Sequence, residues 1–497
     1  QTAQGYEFGV RNLALAAARG PAMRSTSFRA AIEGVALQRG SVQADHIELA
    51  PIAHLAEFVP VPAALRQVLA ELSPQGNLFD VKFEWTGELP EPAAFKARAR
   101  FGGLAMNAWR AVPGFAGLSG SIEASEVKGS LHLASTQAEL DLPKVFPEPR
   151  MALDALNGEV QWERREGAAL LVRIPSLSYA NADLAGTAFG SYQYTGAGPG
   201  VIDLSAQLSR ADGRRTAKYL PLSTILGPAT RDWLADAVLA GQSSDVRFRL
   251  KGDLRDFPFA DASKGQFQVA ARIRGGVLDY ASGWPRIEGI DGELLFERDK
   301  MEIAGRSAKI LGAALSNVRV GIPNLLADQP LLTINGHAEG PTAEFLAYIQ
   351  RSPVRRMIDG FTDGISAEGR GRLQLRLELP LEDLAKTRIA GEYRFSGNNV
   401  AVDPRLPPVE RASGRVNFTE STLALNEVRG LLFGGPVAVS GGSSPLQGVA
   451  IMARGEATLH AIGTLIDLPW RARLSGSVPY SATVAVSGGR TQITFES

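Results

Sequence analysis

The chain has 497 residues, with 52 Lys+Arg against 52 Asp+Glu and a formal net charge of zero. That length exceeds one compact core, so several domains or an extended array are expected, and balanced charge without a basic stripe argues against a nucleic-acid binder. With 0 Cys there are no disulfides and no thiol chemistry, and no apolar run approaches the roughly 18 residues of a membrane-spanning helix.

Helical spacing first appears at Leu65, Val68, Leu69 and Leu72, on one stripe. Phe79, Val81, Phe83 and Trp85 then alternate with Asp80, Lys82 and Glu84, as a strand with one apolar and one wet face does. An apolar–polar–Gly–x–apolar phrase follows at Leu118-Ser119-Gly120-Ser121-Ile122 and again at Leu156-Asn157-Gly158-Glu159-Val160, the latter ending at Trp162. Gly196-Ala197-Gly198-Pro199-Gly200 superficially suggests a phosphate loop, but it leads into the strand-like Val201-Ile202-Asp203-Leu204 and lacks the helix end that binds anions. A helix is expected over residues 228–240, carrying Trp233, Leu234 and Val238, with Gly241 as its stop.

Val246, Phe248 and Leu250 alternate next, as do Phe267, Val269, Ala271 and Ile273. Gly283-Trp284-Pro285 reads as a turn. The clearest copy of the phrase is Ile287-Glu288-Gly289-Ile290-Asp291-Gly292-Glu293-Leu294-Leu295-Phe296. A helix begins after Thr342 with Phe345, Tyr348 and Ile349 on one stripe, restarts at Ser352-Pro353 and stops at Gly360. Leu373, Leu375, Leu377 and Leu379 alternate, a weaker phrase runs from Ala412-Ser413-Gly414 to Phe418, and a last short helix is expected over residues 458–466. Gln1 is no initiator and Thr491-Gln492-Ile493-Thr494-Phe495 ends the chain within a strand-like alternation, so the chain reads as part of a longer protein.

Pro285 and Gly292 align without a gap with Pro113 and Gly120 and with Pro407 and Gly414, and Gly292 and Gly414 lie 122 residues apart. Long internal repeats indicate an array in which each unit touches mainly its neighbours. The expected portions are 1–75, 76–240, 241–360 and 361–467, each with a helix, and 468–497 as the start of a further one. The class is mainly β and antiparallel, because one-sided strands of this kind pair that way. The helices are too few to cover the apolar face, which must then either pack on itself in a sandwich or barrel or curl partway and leave an apolar groove.

The stretch Arg231-Asp232-Trp233-Leu234, Phe248-Arg249-Leu250-Lys251-Gly252-Asp253-Leu254 and Phe257-Pro258-Phe259 resembles the central region of the AsmA-like family, most closely its YhdP-type members. Tyr280, Gly283-Trp284-Pro285, Ile287, Gly289-Ile290, Gly292 and Ile322-Pro323-Asn324-Leu325 continue the pattern, with Asn324 where the family tends to have Asp. The similarity is strongest over residues 216–325. The resemblance implies an elongated, twisted, taco-shaped repeating β-groove with short crossover helices. It also implies a periplasmic protein of diderm bacteria, anchored to the inner membrane, similar to bridge-like lipid-transfer proteins and moving glycerophospholipid toward the outer membrane.

The leading expectation is a non-enzymatic lipid conduit without a cofactor. Its partners are phospholipids and the two membranes, and its groove lining is Phe79, Val81, Phe83, Trp85, Val246, Phe248, Leu250, Phe267, Val269, Ile273, Leu294, Phe296, Leu373, Leu375, Leu377 and Phe418. The alternative is a scaffold or assembly protein of the outer membrane that conducts no lipid and pairs through strand edges. An outer-membrane barrel is disfavoured by the interrupting helices, and a polysaccharide-cleaving enzyme by the lack of a paired-carboxylate cluster. His46, His54, His132, His337 and His460 lack the spacing of a zinc site and read as structural or exposed.

Overall fold

The structure, a computed structural model, describes the chain except residues 1–4, 16–21, 34–37, 57, 59–62, 90–91, 111, 166–168, 223–226, 404–405, 445–447, 466–474, 488–489 and 497. Ile466, the 467/468 boundary and the side chain of Leu65 therefore lie outside the described residues. Strands take 65% of the chain and helices 13%, so strand pairing organises the molecule. Two units result, residues 1–231 with 243–270 and residues 232–242 with 271–497.

The first unit contains β1 (Gly5–Leu15), β2 (Met23–Glu33), β3 (Arg39–Glu48), α1 (Leu49–Leu55), α2 (Ala63–Leu72), β4 (Gln75–Thr86), β5 (Ala94–Met106), β6 (Gly114–Ser125), β7 (Lys128–Asp141), β8 (Arg150–Arg164), β9 (Leu170–Ala180), β10 (Leu184–Tyr194) and β11 (Val201–Asp212). The division runs through α3 (Pro228–Ala237), β12 (Val238–Asp253) and β13 (Gly265–Leu278). The second unit continues with β14 (Ile287–Glu297), β15 (Lys300–Ile310), β16 (Ala313–Ile322), β17 (Leu331–Pro341), α4 (Thr342–Gln350), α5 (Val354–Met357), β18 (Ser366–Glu368), β19 (Arg370–Pro380) and β20 (Arg388–Ala401). It ends with β21 (Val409–Thr419), β22 (Leu423–Leu432), β23 (Gly435–Ser444), β24 (Gly448–Thr458), α6 (Leu459–Leu465), β25 (Ser477–Ser487) and β26 (Arg490–Glu496).

Pairing is antiparallel between consecutive strands, as in β7–β8 and β15–β16, except that β17 pairs with β19 across the short β18. Among the described residues β1 pairs only with β2 and β26 only with β25, and the strands do not close into a barrel. The expected helices are present, two of them shortened and one added: the helix restarting at Ser352-Pro353 and expected to stop at Gly360 ends at Met357. The helix expected to 240 ends at Ala237 because Val238 already belongs to β12. The added helix is α1, whose Pro51 looks like a breaker in the sequence but stands in the first turn, where no backbone donor is needed.

The recurring phrase is a joint between strands. Gly103, Gly275 and Gly397 interrupt their strands with φ of 63°, 60° and 69°, the left-handed region that glycine enters without strain. Each bulge N–H donates to the polar residue of the next phrase, 16 positions on: Gly103 to Ser119 Oγ at 3.3 Å, Gly275 to Asp291 Oδ1 at 2.9 Å and Gly397 to Ser413 Oγ at 2.9 Å. The glycine that follows lies against a neighbouring strand; a side chain at Gly414 would meet Val428 Cγ2 at 2.7 Å. The closing aromatic covers another glycine, Trp162 lying over Gly129 and Phe418 over Gly391. Bulges bend a strand and increase its twist, so the phrase sets a bend at the same level in successive repeats. We expect Gly397→Val to cost about 1–3 kcal/mol through left-handed strain and Ser413→Ala about 1 kcal/mol. Denaturant midpoints measure both, and an unchanged midpoint for both variants would remove the joint.

Within each unit every described α-helix sits at the same end of the strands, here the helix rim, and the other end carries short turns and 3-10 turns. At the helix rim of the first unit, Tyr219 donates to Asp183 Oδ2 at 2.8 Å and receives Asn181 Nδ2 at 3.0 Å, tying residues 213–219 to the β9–β10 turn. Burial, then the Asp183 bond, pushes the Tyr219 hydroxyl from 10.0 up to about 12. The folded value lies above the unfolded one, so this contribution to stability is intact below pH 10.0 and disappears as pH climbs toward about 12. Tyr219→Phe is expected to flatten the alkaline fall of Tm in that window, and a slope identical to the parent's would refute the coupling.

Candidate functional site

Cross-strand partners share a sheet face, so register alone traces the surface. In the first unit one row runs Phe8–Ala30–Val42–Phe83–Ala97–Ala124–Gly129–Trp162–Val172–Tyr192–Ile202 across β1 to β11. A second row runs Leu78–Phe101–Gly120–Leu133–Gly158–Leu177–Ala188–Ala206 on the same face. The adjoining row on the opposite face is polar throughout: Arg29–Gln43–Lys82–Arg98–Glu123–Ser130–Gln161–Arg173–Ser191–Asp203.

The second unit repeats the pattern by itself. Leu294–Ile303–Val320–Ile334–Leu377–Ile389 crosses β14 to β20, and Gly336–Leu375–Gly391–Phe418–Leu423 extends the same face to β22. Its opposite face carries Glu339–Arg372–Arg394–Arg415 in register, with ion pairs Arg372–Glu339 at 2.7 Å and Arg415–Glu427 at 2.6 Å. The Arg372 bond holds the Glu339 carboxyl below its usual value, and the Arg249 bond does the same for Asp203. These exposed pairs keep one face solvated and add little stability.

Of the expected lining, Val81, Phe83, Val246, Phe248, Leu250, Phe267, Val269, Ile273, Leu294, Phe296, Leu373, Leu375, Leu377 and Phe418 are half-buried, and Trp85 is buried at 5% exposure. Phe83 contacts Trp85 and Phe95 at 5.6 and 6.1 Å between ring centres, and Phe248 meets Phe267 at 6.3 Å. Arg249 reaches Asp203 of the polar row, so its neighbours Phe248 and Leu250 point to the other side. Phe79 needs correcting. It pairs with Arg100, in the row Arg100–Ser121–His132–Glu159, and stacks on His46 at 5.1 Å. The bulge at Asp80, φ 52°, reverses the alternation between Leu78 and Val81 and turns Phe79 to the polar face. Phe79→Asp is accordingly expected to leave lipid content and Tm near the parent's, as read by lipid extraction and thermal melts.

The apolar face is uneven from rim to rim. The buried clusters, Phe101, Leu118, Ala138, Leu153 and Leu156 in the first unit and Val437, Ala457 and Tyr480 in the second, all lie in the helix-rim half of their strands. Helices and loops knit this rim. Trp233 Nε1 donates to the Tyr280 carbonyl at 3.0 Å, the Tyr280 and Tyr348 hydroxyls are 3.0 Å apart, Tyr393 donates to Thr342 Oγ1 at 2.8 Å and Phe345 contacts the Tyr393 ring at 5.0 Å. Burial pushes the hydroxyls of Tyr280, Tyr348 and Tyr393 up. Sequence reasoning missed this division into halves; the alanines that mark the tight half (Ala44, Ala138, Ala338, Ala412 and Ala457) are its only trace.

Among the described residues no three His, Cys, Asp or Glu side chains group as metal ligands, and no helix is long and apolar enough to cross a membrane. His46 Nε2 lies 2.9 Å from Asn77 Oδ1, and His132 faces Glu159 at 3.8 Å.

A profile of the family described as YhdP protein matches residues 1–497. The intermembrane phospholipid transporter YhdP of Escherichia coli (strain K12) is 23% identical over 451 residues, 90% of this chain but 34% of that relative. The chain thus spans about a third of the relative's length. No solved structure matches it.

Proposed function

The chain belongs to the YhdP protein family, and on that premise we propose that its apolar face carries the acyl chains of glycerophospholipid as a conduit in the periplasm between the inner and outer membranes. One observation carries the reading. Register places apolar or small side chains side by side over eleven consecutive strands of the first unit, with no break and no polar intrusion. Each Å2 of that surface removed from water by an acyl chain contributes about 25 cal/mol. A uniform wall holds a two-chain lipid while offering no deep local trap, so the lipid slides. On the polar face carboxylates such as Asp203, Glu339 and Glu427 are paired with arginines. The full-length protein, on this reading, is anchored to the inner membrane by segments beyond this chain.

Extraction and mass spectrometry of lipid from the purified intact protein test the proposal, together with photo-crosslinking from a benzophenone at Phe267. Phospholipid at about stoichiometric amounts and a Phe267 adduct are expected. Protein free of lipid and unable to take it from vesicles would favour the scaffold reading, in which the open edges of β1 and β26 pair with a partner strand.

A further inference from the structure

The first unit's apolar face has two unlike borders, and we infer that bound lipid lies in one orientation across it: acyl ends toward the helix rim, headgroup emerging at the turn rim. The inference rests on the lipid reading above and adds the polarity of the ligand. In the first unit the two rows nearest the turn rim are Phe8–Ala30–Val42–Phe83–Ala97 with its continuation to Trp162 and Tyr192, and Tyr6–Ile32–Gly40–Trp85–Phe95. They hold seven aromatics, whereas each of the three rows nearer the helix rim holds one: Phe28 with Ala44 and Val81, Phe101 in the row Leu78 to Ala206, and Tyr179 between Leu156 and Gly186. Four of the seven are Tyr or Trp, side chains that pair an apolar body with a polar handle and settle where hydrocarbon meets headgroup. Tyr192 shows the arrangement, with its ring on the apolar row and its hydroxyl donating outward to the Pro199 carbonyl of the turn at 3.0 Å.

The opposite border cannot accept a headgroup without breaking packing. The first unit's helix-rim half is closed by Leu153 and Leu156, at 2% and 3% exposure, and its rim is bridged by bonds such as Trp109 Nε1 to Glu71 Oε2 at 2.6 Å and Leu222 N to the Val145 carbonyl at 2.7 Å. A zwitterionic headgroup pressed there would lose its water without replacement partners, at a cost no hydrocarbon contact offsets. At the turn rim the connection between β6 and β7 is only two residues long, so no helix stands between water and this border of the face.

Because this chain has 0 Cys, a single fluorophore can be placed at will, any cysteine elsewhere in the intact protein being replaced by serine. Val127→Cys labels the turn rim and Val145→Cys the helix rim. The probes are phosphatidylcholine with a nitroxide on the headgroup and phosphatidylcholine with a nitroxide at the acyl terminus. The expected result is several-fold stronger quenching of the Val127 label than of the Val145 label by the headgroup nitroxide, with the preference reduced or reversed for the acyl nitroxide. Equal quenching of both labels by the headgroup probe, or stronger quenching at Val145, overturns the orientation. Absence of quenching of the tryptophans by the acyl probe, Trp85 and Trp162 included, signals instead that no lipid is bound, which defeats the lipid reading itself.

Discussion

Leu375→Asp is expected to strip the protein of lipid while leaving it folded. Leu375 is half-buried on the apolar row, flanked by Gly336 on β17 and Gly391 on β20, with the Phe418 ring lying over Gly391. In the lipid-free protein a carboxylate there keeps contact with water, so its cost to folding is modest, about 1 kcal/mol. Under an acyl chain it must shed that water, at a cost of several kcal/mol. Phospholipid recovered per protein should therefore fall at least tenfold, equivalent to about 1.4 kcal/mol, with Tm shifted by only a few degrees. Phe248→Asp, on the face opposite Arg249, should behave the same way. Thermal melts alongside lipid extraction decide the matter: a variant that unfolds marks closed core at that position, and one that keeps its lipid marks a surface lipid does not touch.

The second large effect falls in the helix-rim half of the first unit's face. Leu153 and Leu156 of β8 are 2% and 3% exposed and sit in the cluster with Phe101, Leu118 and Ala138. Leu153→Ala is expected to cost about 3–5 kcal/mol, the lost transfer energy plus a cavity that the stiff sheet cannot collapse. Leu153→Asp should not fold at all. Both leucines look in the sequence like any other alternating position, so Leu153→Ala and Leu375→Asp make a matched pair. One should lower the denaturant midpoint and spare lipid binding per folded molecule, and the other should do the reverse. Equal loss of stability from both would mean that Leu375, like Leu153, lies in closed core.

The alternation was legible because side chains of a strand point to opposite faces whatever the strand pairs with. Phe83, Phe248, Leu294, Leu375 and Phe418 therefore reach the apolar face as periodicity alone predicts. Phe79 did not follow, because one left-handed residue, Asp80, reverses every side chain beyond it, and Asp carries no compositional warning of a bulge. The repeated phrase was visible as a pattern of Gly, a polar residue and an aromatic. Its meaning was not, since the partners Gly103, Gly275 and Gly397 lie 16 residues earlier and nothing local joins them. Helix α1 escaped because Pro51 reads as a breaker unless its place in the first turn is known.

Residue order thus suffices for a one-sided, repeating, antiparallel β protein with its charge on one face, since these follow from strand periodicity and composition. Assembly decides which stretch of each apolar stripe is sealed and which stays open. That outcome depends on where the bulges bend the strands and, within each unit, on the described α-helices returning to one rim, and both are settled only when segments far apart in the chain are brought into register.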